Sequence, residues 1–266
     1  MSNTPLADDI AALQTLVPHL ASEVGSEPSE EWISCADLVR PGRALESFLA
    51  GLDAEIPDRI VAASVLVQGY ALRILGSSLA LWLVTGRMPS ADAANIRLMT
   101  MGGLPARIAW VDPTVAGVAP QDARVDIELR DESELFDWYR ADAFDRHLDP
   151  FIEAVRGEVR VGRDLLWGNV GAAIGSAFQS LDAARPQRER KAFRAIATRA
   201  LARLPHDIHR RGSFFELDGD RGGWFWERRS CCLVYQCDPD RQKCDACSLL
   251  RPGERRARFA NAASAP

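Results

Sequence analysis

Six cysteines give this 266-residue chain its clearest capacity for chemistry. Cys35 stands alone, whereas the other five lie between residues 231 and 247, within the segment SCCLVYQCDPDRQKCDACS. Closely spaced thiols beside a hydrophilic stretch, here residues 238–243, are typical of metal ligands or redox groups in a reducing compartment. A lone cysteine is more often a small buried hydrophobe, so we expect Cys35 to lie in the core.

The spacing of the clustered thiols narrows the kind of site. A zinc ribbon generally has two separated C-x2-4-C pairs, and here only Cys244 and Cys247 have that spacing, because the other candidate pair is adjacent in sequence. A c-type haem requires a histidine directly after the second cysteine, but Ser248 stands there. The thioredoxin pattern requires a C-x-x-C motif in a βαβ context, which is absent. Four thiolates are soft enough ligands for a [2Fe–2S] cluster.

The cysteine segment resembles a known family. Residues 228–233 (RRSCCL), followed by C-x2-C, are similar to the C-terminal signature of FhuF-like ferric siderophore reductases, in which the pattern C-C-x10-C-x2-C holds a [2Fe–2S] cluster. Residues 147–152 (HLDPFI) and 166–169 (LWGN) are also similar to that family and to the C-terminal part of siderophore synthetases. The resemblance runs over at least residues 144–250. It implies a cluster whose ligands are Cys231, Cys232, Cys244 and Cys247.

The sequence departs from the family pattern at one point. Eleven residues, 233–243, separate Cys232 from Cys244, one more than in the family, and Cys237 lies among them. Either the loop bulges by one residue or Cys237 replaces a neighbouring ligand. We favour the bulge because all four family positions are filled.

The resemblance implies an oxidoreductase that passes one electron to siderophore-bound Fe(III), since hard oxygen donors hold Fe(II) far less well. Because the sequence has no signal-peptide pattern, we expect the protein in the cytoplasm. The expected partners are a ferric siderophore and an external electron donor, a ferredoxin, flavodoxin or flavin reductase, because no G-x-G-x-x-G motif follows a strand. No nucleic-acid partner is expected, and no motif marks the siderophore-binding residues.

Two alternatives remain. One is a zinc-stabilised binding module whose thiols are structural and carry out no redox chemistry. The other is a fragment-like relative of the siderophore synthetases, which would need an ATP-binding portion, but no phosphate-binding loop is recognisable.

Several residues near the cysteines are candidates for supporting roles. Arg228, Arg229 and the backbone amides of residues 238–243 are candidates to tune the cluster potential through hydrogen bonds to sulfur. Four aromatic residues are candidates either for the floor of a siderophore pocket or for the core of a small sheet, and we favour the core: Phe214, Phe215, Trp224 and Trp226.

Composition and charge fit this class of protein. Hydrophobic residues make up 47% and charged residues 26%, as in a globular protein with a core. The net charge of −5 divides into −12 for residues 1–150 and +7 for residues 151–266, and the positive half would suit an acidic electron carrier. The N-terminus has no signal-peptide pattern. The apolar run 60–85 contains Gln68 and Arg73, so we expect a buried helix and not a membrane span.

The periodicity predicts an α+β fold, mostly helical with a small antiparallel sheet and a C-terminal cysteine-rich segment. We expect one domain over residues 1–252, a cluster-binding segment at 213–250 and a flexible tail at 253–266. Small residues between Gly168 and Ser176 predict close packing of one helix against another element. The predicted helices are 6–24, 37–52, 57–83, one that begins with Asp149 as N-cap, 163–181 and 188–203. The predicted strands are 96–101, 106–111, 125–129, 213–217 and 223–228, with loops at 112–121 and 218–222.

Overall fold

Ten α-helices and nine strands lie within the residues that the computed structural model describes, which are 5–20, 22–25, 31–118, 122–217, 223–237 and 243–264. The protein is therefore α+β and mostly helical, as predicted. The helices are α1 (Pro5–Leu16), α2 (Cys35–Leu38), α3 (Arg43–Ala50), α4 (Arg59–Ala71), α5 (Ser77–Thr85), α6 (Glu132–Arg140), α7 (Asp149–Glu158), α8 (Arg163–Ala183), α9 (Gln187–Arg203) and α10 (Pro252–Ser264). The strands are β1 (Glu23–Val24), β2 (Trp32–Ser34), β3 (Arg87–Pro89), β4 (Ile96–Met101), β5 (Leu104–Trp110), β6 (Val115–Gly117), β7 (Ile127–Glu128), β8 (Gly212–Leu217) and β9 (Gly223–Arg228).

The described strands form three small sheets. They are a four-stranded sheet of order β1-β5-β4-β2, a three-stranded sheet of order β3-β6-β7, and the β8–β9 hairpin. The sequence predicts antiparallel pairing, which most pairs have, but β1 pairs with β5 and β6 pairs with β7 in parallel. The hairpin loop predicted at 218–222 lies outside the described residues.

The apolar run 60–85 forms α4 and α5, joined by a π-helical stretch at Leu72–Gly76. This helix is long and apolar enough to cross a membrane, but 67% of its most apolar window is buried inside the fold. It therefore lies where the sequence predicts, in the core. Arg73 donates hydrogen bonds to the carbonyls of His19 and Pro105, so its charged end is held at the edge of the core.

The predicted helix start at Asp149 is wrong, because Asp149 lies inside a second long helix. Helices α6 and α7 form one continuous run through a π-helical stretch at Ala141–Leu148, so Asp149 is no N-cap. Pro150 is tolerated because the wider π turn ends just before it, where an α turn would bring its ring against a carbonyl. The Asp149 carboxylate instead accepts hydrogen bonds from Arg163 Nη2 at 2.8 Å and His206 Nε2 at 2.7 Å.

Prolines shorten or divide two of the predicted helices. The helix predicted over 6–24 ends at Leu16, and Pro18 begins a short 3-10 turn that ends at Leu20. The helix predicted over 37–52 is divided at Pro41 and Gly42 into α2 and α3. Proline has no N–H to donate, and it disfavours helical backbone in the residue before it.

The strand predictions are confirmed at β4, β5, β8 and β9 within one or two residues. The predicted loop 112–121 is wrong in part, because it contains β6, which pairs with β3. The strand predicted at 125–129 is reduced to β7. Short strands of this kind depend on tertiary pairing, which a local pattern of turn formers does not reveal.

The flexible tail predicted at 253–266 is also different in the structure, where α10 occupies Pro252–Ser264. Phe259 is buried and lies 5.5 Å from Phe215 and 4.8 Å from Phe225, measured between ring centroids. This contact with the β8–β9 hairpin gives the helix tertiary support that its polar composition does not suggest.

His147 joins the two long helices in the core. It is fully buried, its Nδ1 donates to the Ala91 carbonyl at 2.6 Å, and its Nε2 accepts from the Tyr70 hydroxyl at 2.5 Å. The Tyr70 ring in turn stacks on Phe151 at 4.0 Å. Burial lowers the pKa of His147 to about 4, so the folded protein keeps a neutral imidazole.

We expect this histidine to make the protein less stable in mild acid. The folded pKa lies below the unfolded value of about 6.5, so the unfolded chain binds more protons between these values and stability falls as the pH falls. The free energy of unfolding should decrease by about 1.5 kcal/mol between pH 6.5 and 5. Urea unfolding of the wild type and of His147→Gln at both pH values measures this. A decrease of equal size in the variant would contradict the assignment.

Candidate functional site

The β8–β9 hairpin brings the cysteine segment onto helix α8. A Cβ added at Gly175 would lie 2.7 Å from Trp226 Cε2, and one added at Gly168 would lie 2.6 Å from Ser230 Cβ. Only glycine leaves room for such an approach. The predicted close packing of the small-residue stripe is therefore confirmed, and it fixes the chain directly before Cys231.

Arg228, the last residue of β9, is buried with 3% of its surface exposed. Its Nε donates to the Ser230 carbonyl at 2.6 Å and its Nη1 to Gln68 Oε1 at 3.1 Å, while its Nη2 donates to Asn169 Oδ1. All three acceptors are neutral. The guanidinium is thus well hydrogen-bonded, but these partners leave its positive charge uncompensated.

Asn169 connects the same guanidinium to the cysteines. Its Nδ2 donates to the Ser64 hydroxyl at 2.7 Å and to the Ser64 carbonyl at 2.9 Å. The Ser64 hydroxyl donates to the Cys232 carbonyl at 2.7 Å. All of these polar groups are buried, and a buried network of this kind holds one arrangement because each broken bond leaves an unsatisfied group.

The four cysteines of the family signature line one cavity of about 320 Å³, which we call the thiol cavity. Cys232 and Cys247 are buried, Cys231 is half-buried and Cys244 is exposed. In the described part of the chain, no three His, Cys, Asp or Glu side chains converge closely enough to hold one metal ion. The remaining lining residues are Gln68, Arg228, Val234, Tyr235 and Lys243.

The thiols interact with one another and with Arg228. A hydrogen bond between Cys232 and Cys244 lowers the pKa of the Cys232 thiol and raises that of Cys244. The Arg228 charge opposes the increase at Cys244 and adds to the decrease at Cys232. Burial raises the pKa of Cys231. The positive charge of Arg228 thus favours a thiolate in this cavity.

Two polar groups adjoin Cys231. The Leu233 amide donates to Cys231 Sγ at 3.3 Å, and Leu233 has a positive φ of 64°, which turns the chain after the paired cysteines. The Ser230 hydroxyl is buried and has no hydrogen-bond partner among the described residues. A buried donor without a partner is costly, and this hydroxyl is held in that position by its packing against Gly168 of α8.

The structure also shows the positions of the other candidate residues. Arg229 is exposed, unlike Arg228, and Cys35 is fully buried, as predicted. Cys237 is half-buried against the core, and the residues that line the thiol cavity do not include it. Residues 238–242, whose amides are candidate donors, lie outside the described part of the chain. Three of the four aromatic residues pack in the core, as favoured: Trp224 and Trp226 are buried, and Phe214 stacks on Trp224 at 3.5 Å. Phe215 is half-buried and contacts Phe225 and Phe259 instead.

Sequence reasoning missed the roles of Ser64 and Gln68. Gln68 stands out in the sequence only as a polar interruption of an apolar helix, which is a signal that its amide needs a partner. That partner, Arg228, is 160 residues away in sequence. Asn169 belongs to the LWGN stretch noted for its resemblance, but its contacts are visible only in the fold.

Residues 64–208 match the family described as "Ferric iron reductase FhuF-like transporter". The match covers more than half of the chain, so the chain belongs to this family. The cysteine signature begins after the matched residues. The comparison with curated proteins gives no match.

Solved structures share the fold. Aerobactin synthetase IucA from a hypervirulent pathotype of Klebsiella pneumoniae is 14% identical with a TM-score of 0.53, over 65% of this chain and 39% of that one. Its ATP-bound form gives 14% identity and a TM-score of 0.54, over 64% of this chain and 38% of that one. This chain therefore spans about two fifths of the length of these synthetases, and the likeness shows the fold alone.

The close approach of α8 to the cysteine segment is testable. Gly168→Ala should lower the free energy of unfolding by about 2 kcal/mol, because the new methyl group overlaps Ser230. The matched control is Gly157→Ala, where nothing lies within 4 Å, and it should leave stability unchanged or raise it by up to about 1 kcal/mol. Ser230→Gly should restore most of the loss in the double variant. Chemical denaturation of the wild type, the two single glycine variants and the double variant measures the free energies of unfolding. An equal loss of stability at Gly168 and Gly157 would contradict the contact with Ser230.

Proposed function

We propose that this protein is a cytoplasmic [2Fe–2S] ferric siderophore reductase. The observation that carries the proposal is that Cys231, Cys232, Cys244 and Cys247 line one cavity with the buried Arg228, whose charge no carboxylate of the described residues pairs with. Four thiolates are the usual ligand set of a [2Fe–2S] cluster. Such a group is anionic, so it would supply the charge that Arg228 lacks.

The residues around the thiols also suit this group. The Leu233 amide donates to Cys231 Sγ, and hydrogen bonds to sulfur tune a cluster's potential. Cys237 does not line the thiol cavity, which supports a bulged loop over the alternative ligand set. When bound, the cluster would supply electrons one at a time.

The chain's own residues would bind and orient the reactants. The exposed Cys244 marks the side of the thiol cavity that is open to solvent, while the buried Arg228, which also lines the cavity, is held by its hydrogen bond to Asn169. Siderophore Fe(III) takes up one electron and becomes Fe(II), which hard oxygen ligands bind far less tightly, so the iron can leave. The reaction requires no acid, base or nucleophile.

The electron would come from an external one-electron carrier, a ferredoxin, flavodoxin or flavin reductase, which is oxidised as the ferric iron is reduced. The net charge of +7 over residues 151–266 supports docking of an acidic carrier. The family description also contains the word transporter, but the helix long enough to span a membrane is mostly buried in the core.

We expect the purified protein to be brown and to contain two irons and two sulfides per chain. Replacing any one of four cysteines by alanine should lose the cluster, whereas the matched controls Cys35→Ala and Cys237→Ala should keep it. Iron and sulfide analysis with visible absorption measures both. The four positions are Cys231, Cys232, Cys244 and Cys247.

Two outcomes would contradict this assignment. Retention of a full cluster in Cys231→Ala, together with its loss in Cys237→Ala, would favour the alternative ligand set. A colourless protein that contains zinc after anaerobic purification would overturn the proposal in favour of a zinc-stabilised binding module.

The reaction itself is tested with chemically reduced protein under anaerobic conditions. Ferric hydroxamate, citrate-type and catecholate complexes are added in the presence of a ferrous chelator. At least one class should give coloured ferrous chelate, and the cluster should be reoxidised at the same rate. The Cys244→Ala protein is the control and should give no colour. If the cluster stays reduced with every class, the reductase proposal is wrong.

A further inference from the structure

A second cavity, of about 350 Å³, shares Cys231 with the thiol cavity. Three arginines are among its lining residues, so we call it the arginine cavity. A molecule bound there would lie directly beside the thiols. The residues that matter for its chemistry are Asp164, Arg210, Arg211, Arg229, Ser230 and Cys231.

The β8–β9 hairpin brings the three arginines together. Arg211 directly precedes β8 and Arg229 directly follows β9, and the Arg229 amide donates to the Arg211 carbonyl at 2.9 Å. Arg210 ends the short 3-10 turn before them, and its carbonyl accepts a hydrogen bond from Arg229 Nη1 at 3.4 Å. Backbone hydrogen bonds therefore bring the three arginines close together in the absence of a ligand.

The positive charge of the arginine cavity is only partly balanced. Arg211 pairs with Asp164 at 3.0 Å and Arg210 with Asp207 at 3.8 Å, but these carboxylates are 89% and 61% exposed. Exposed pairs of this kind contribute little stability. Among the described residues no carboxylate pairs with Arg229, whose guanidinium donates to a main-chain carbonyl. The cavity therefore retains a net attraction for anions.

The size of the cavity indicates a small ligand. Small-molecule pockets typically occupy about 300–1,000 Å³, and this cavity falls within that range. Guanidinium groups bind carboxylates through two parallel hydrogen bonds, which gives orientation as well as attraction. A docking protein would instead use a broad, exposed charged surface.

We propose that the arginine cavity binds the ferric substrate, and that this substrate is an anionic chelate with carboxylate groups directed to Arg210 and Arg229. This inference rests on the proposed function and deepens it by naming the substrate class. Binding at this position places the iron next to Cys231, on the wall that the two cavities share.

The test uses gallium(III) citrate, because Ga(III) has the charge of Fe(III) but is not reduced under these conditions. Titration calorimetry on the purified holoprotein gives the dissociation constant. Arg210→Gln and Arg229→Gln should each raise it about five- to tenfold, since each removes a charge-assisted hydrogen bond. The matched control is Arg188→Gln on α9, which removes the same charge from a side chain that is 82% exposed, and it should have no effect. A gallium complex of a cationic trihydroxamate should give the same dissociation constant with the wild type and with each variant.

The outcomes separate this inference from the proposed function. Equal affinity for gallium citrate in all four proteins would overturn the inference. So would variants that bind gallium citrate normally but slow cluster reduction by an acidic ferredoxin, because the arginines would then dock the electron donor. Arginine-dependent binding of gallium citrate without any reduction of ferric citrate would support the cavity assignment and contradict the reductase activity.

Discussion

The buried guanidinium of Arg228 is the charge around which the thiol cavity is arranged. Burying a cation costs several kcal/mol unless it is hydrogen-bonded and its charge is compensated. Gln68 on α4, Asn169 on α8 and the Ser230 carbonyl supply the hydrogen bonds without supplying charge. Of the described groups that line this cavity, the thiols become negative most readily. An anionic group held by the thiols would therefore also compensate the charge of Arg228.

The residues around Arg228 come from two parts of the chain, which we call the scaffold (residues 64–208) and the C-terminal segment that carries the clustered cysteines. The family match at 64–208 contains the scaffold side of the network, namely Ser64, Gln68 and Asn169. Arg228 and the clustered cysteines come from the segment that follows it. Aerobactin synthetase IucA shares the fold over 65% of this chain. Since one fold can support many chemistries, the fold does not define the reaction, and the proposed reaction depends on the groups that the C-terminal segment adds.

The sequence predicted the features that depend on local pattern and residue type. Apolar periodicity located the core helix α4–α5, and the small residues of α8 predicted a close approach that Gly168 and Gly175 make. What it missed depends on long-range contact. Gln68 has its role only because Arg228 lies beside it, and α10 is ordered where Phe259 meets the hairpin. Pro150 indicated a helix start because a π-helical stretch that accommodates it has no simple sequence pattern.

The arrangement of positive charge has a consequence for the proposed reaction beyond binding. Adding an electron to an anionic ferric chelate increases its negative charge, so the reduced state gains more from nearby guanidinium groups than the oxidised state does. Charges that are already in place need less reorganisation as the electron arrives, and backbone pairing at the end of the hairpin brings Arg229 beside Arg210 before a ligand binds. The same arginines would therefore both attract the chelate and favour its reduction. The oxygen ligands hold the Fe(II) product less tightly. The arginines attract the anionic chelator and not the Fe(II) cation, so they do not retain the metal as it leaves.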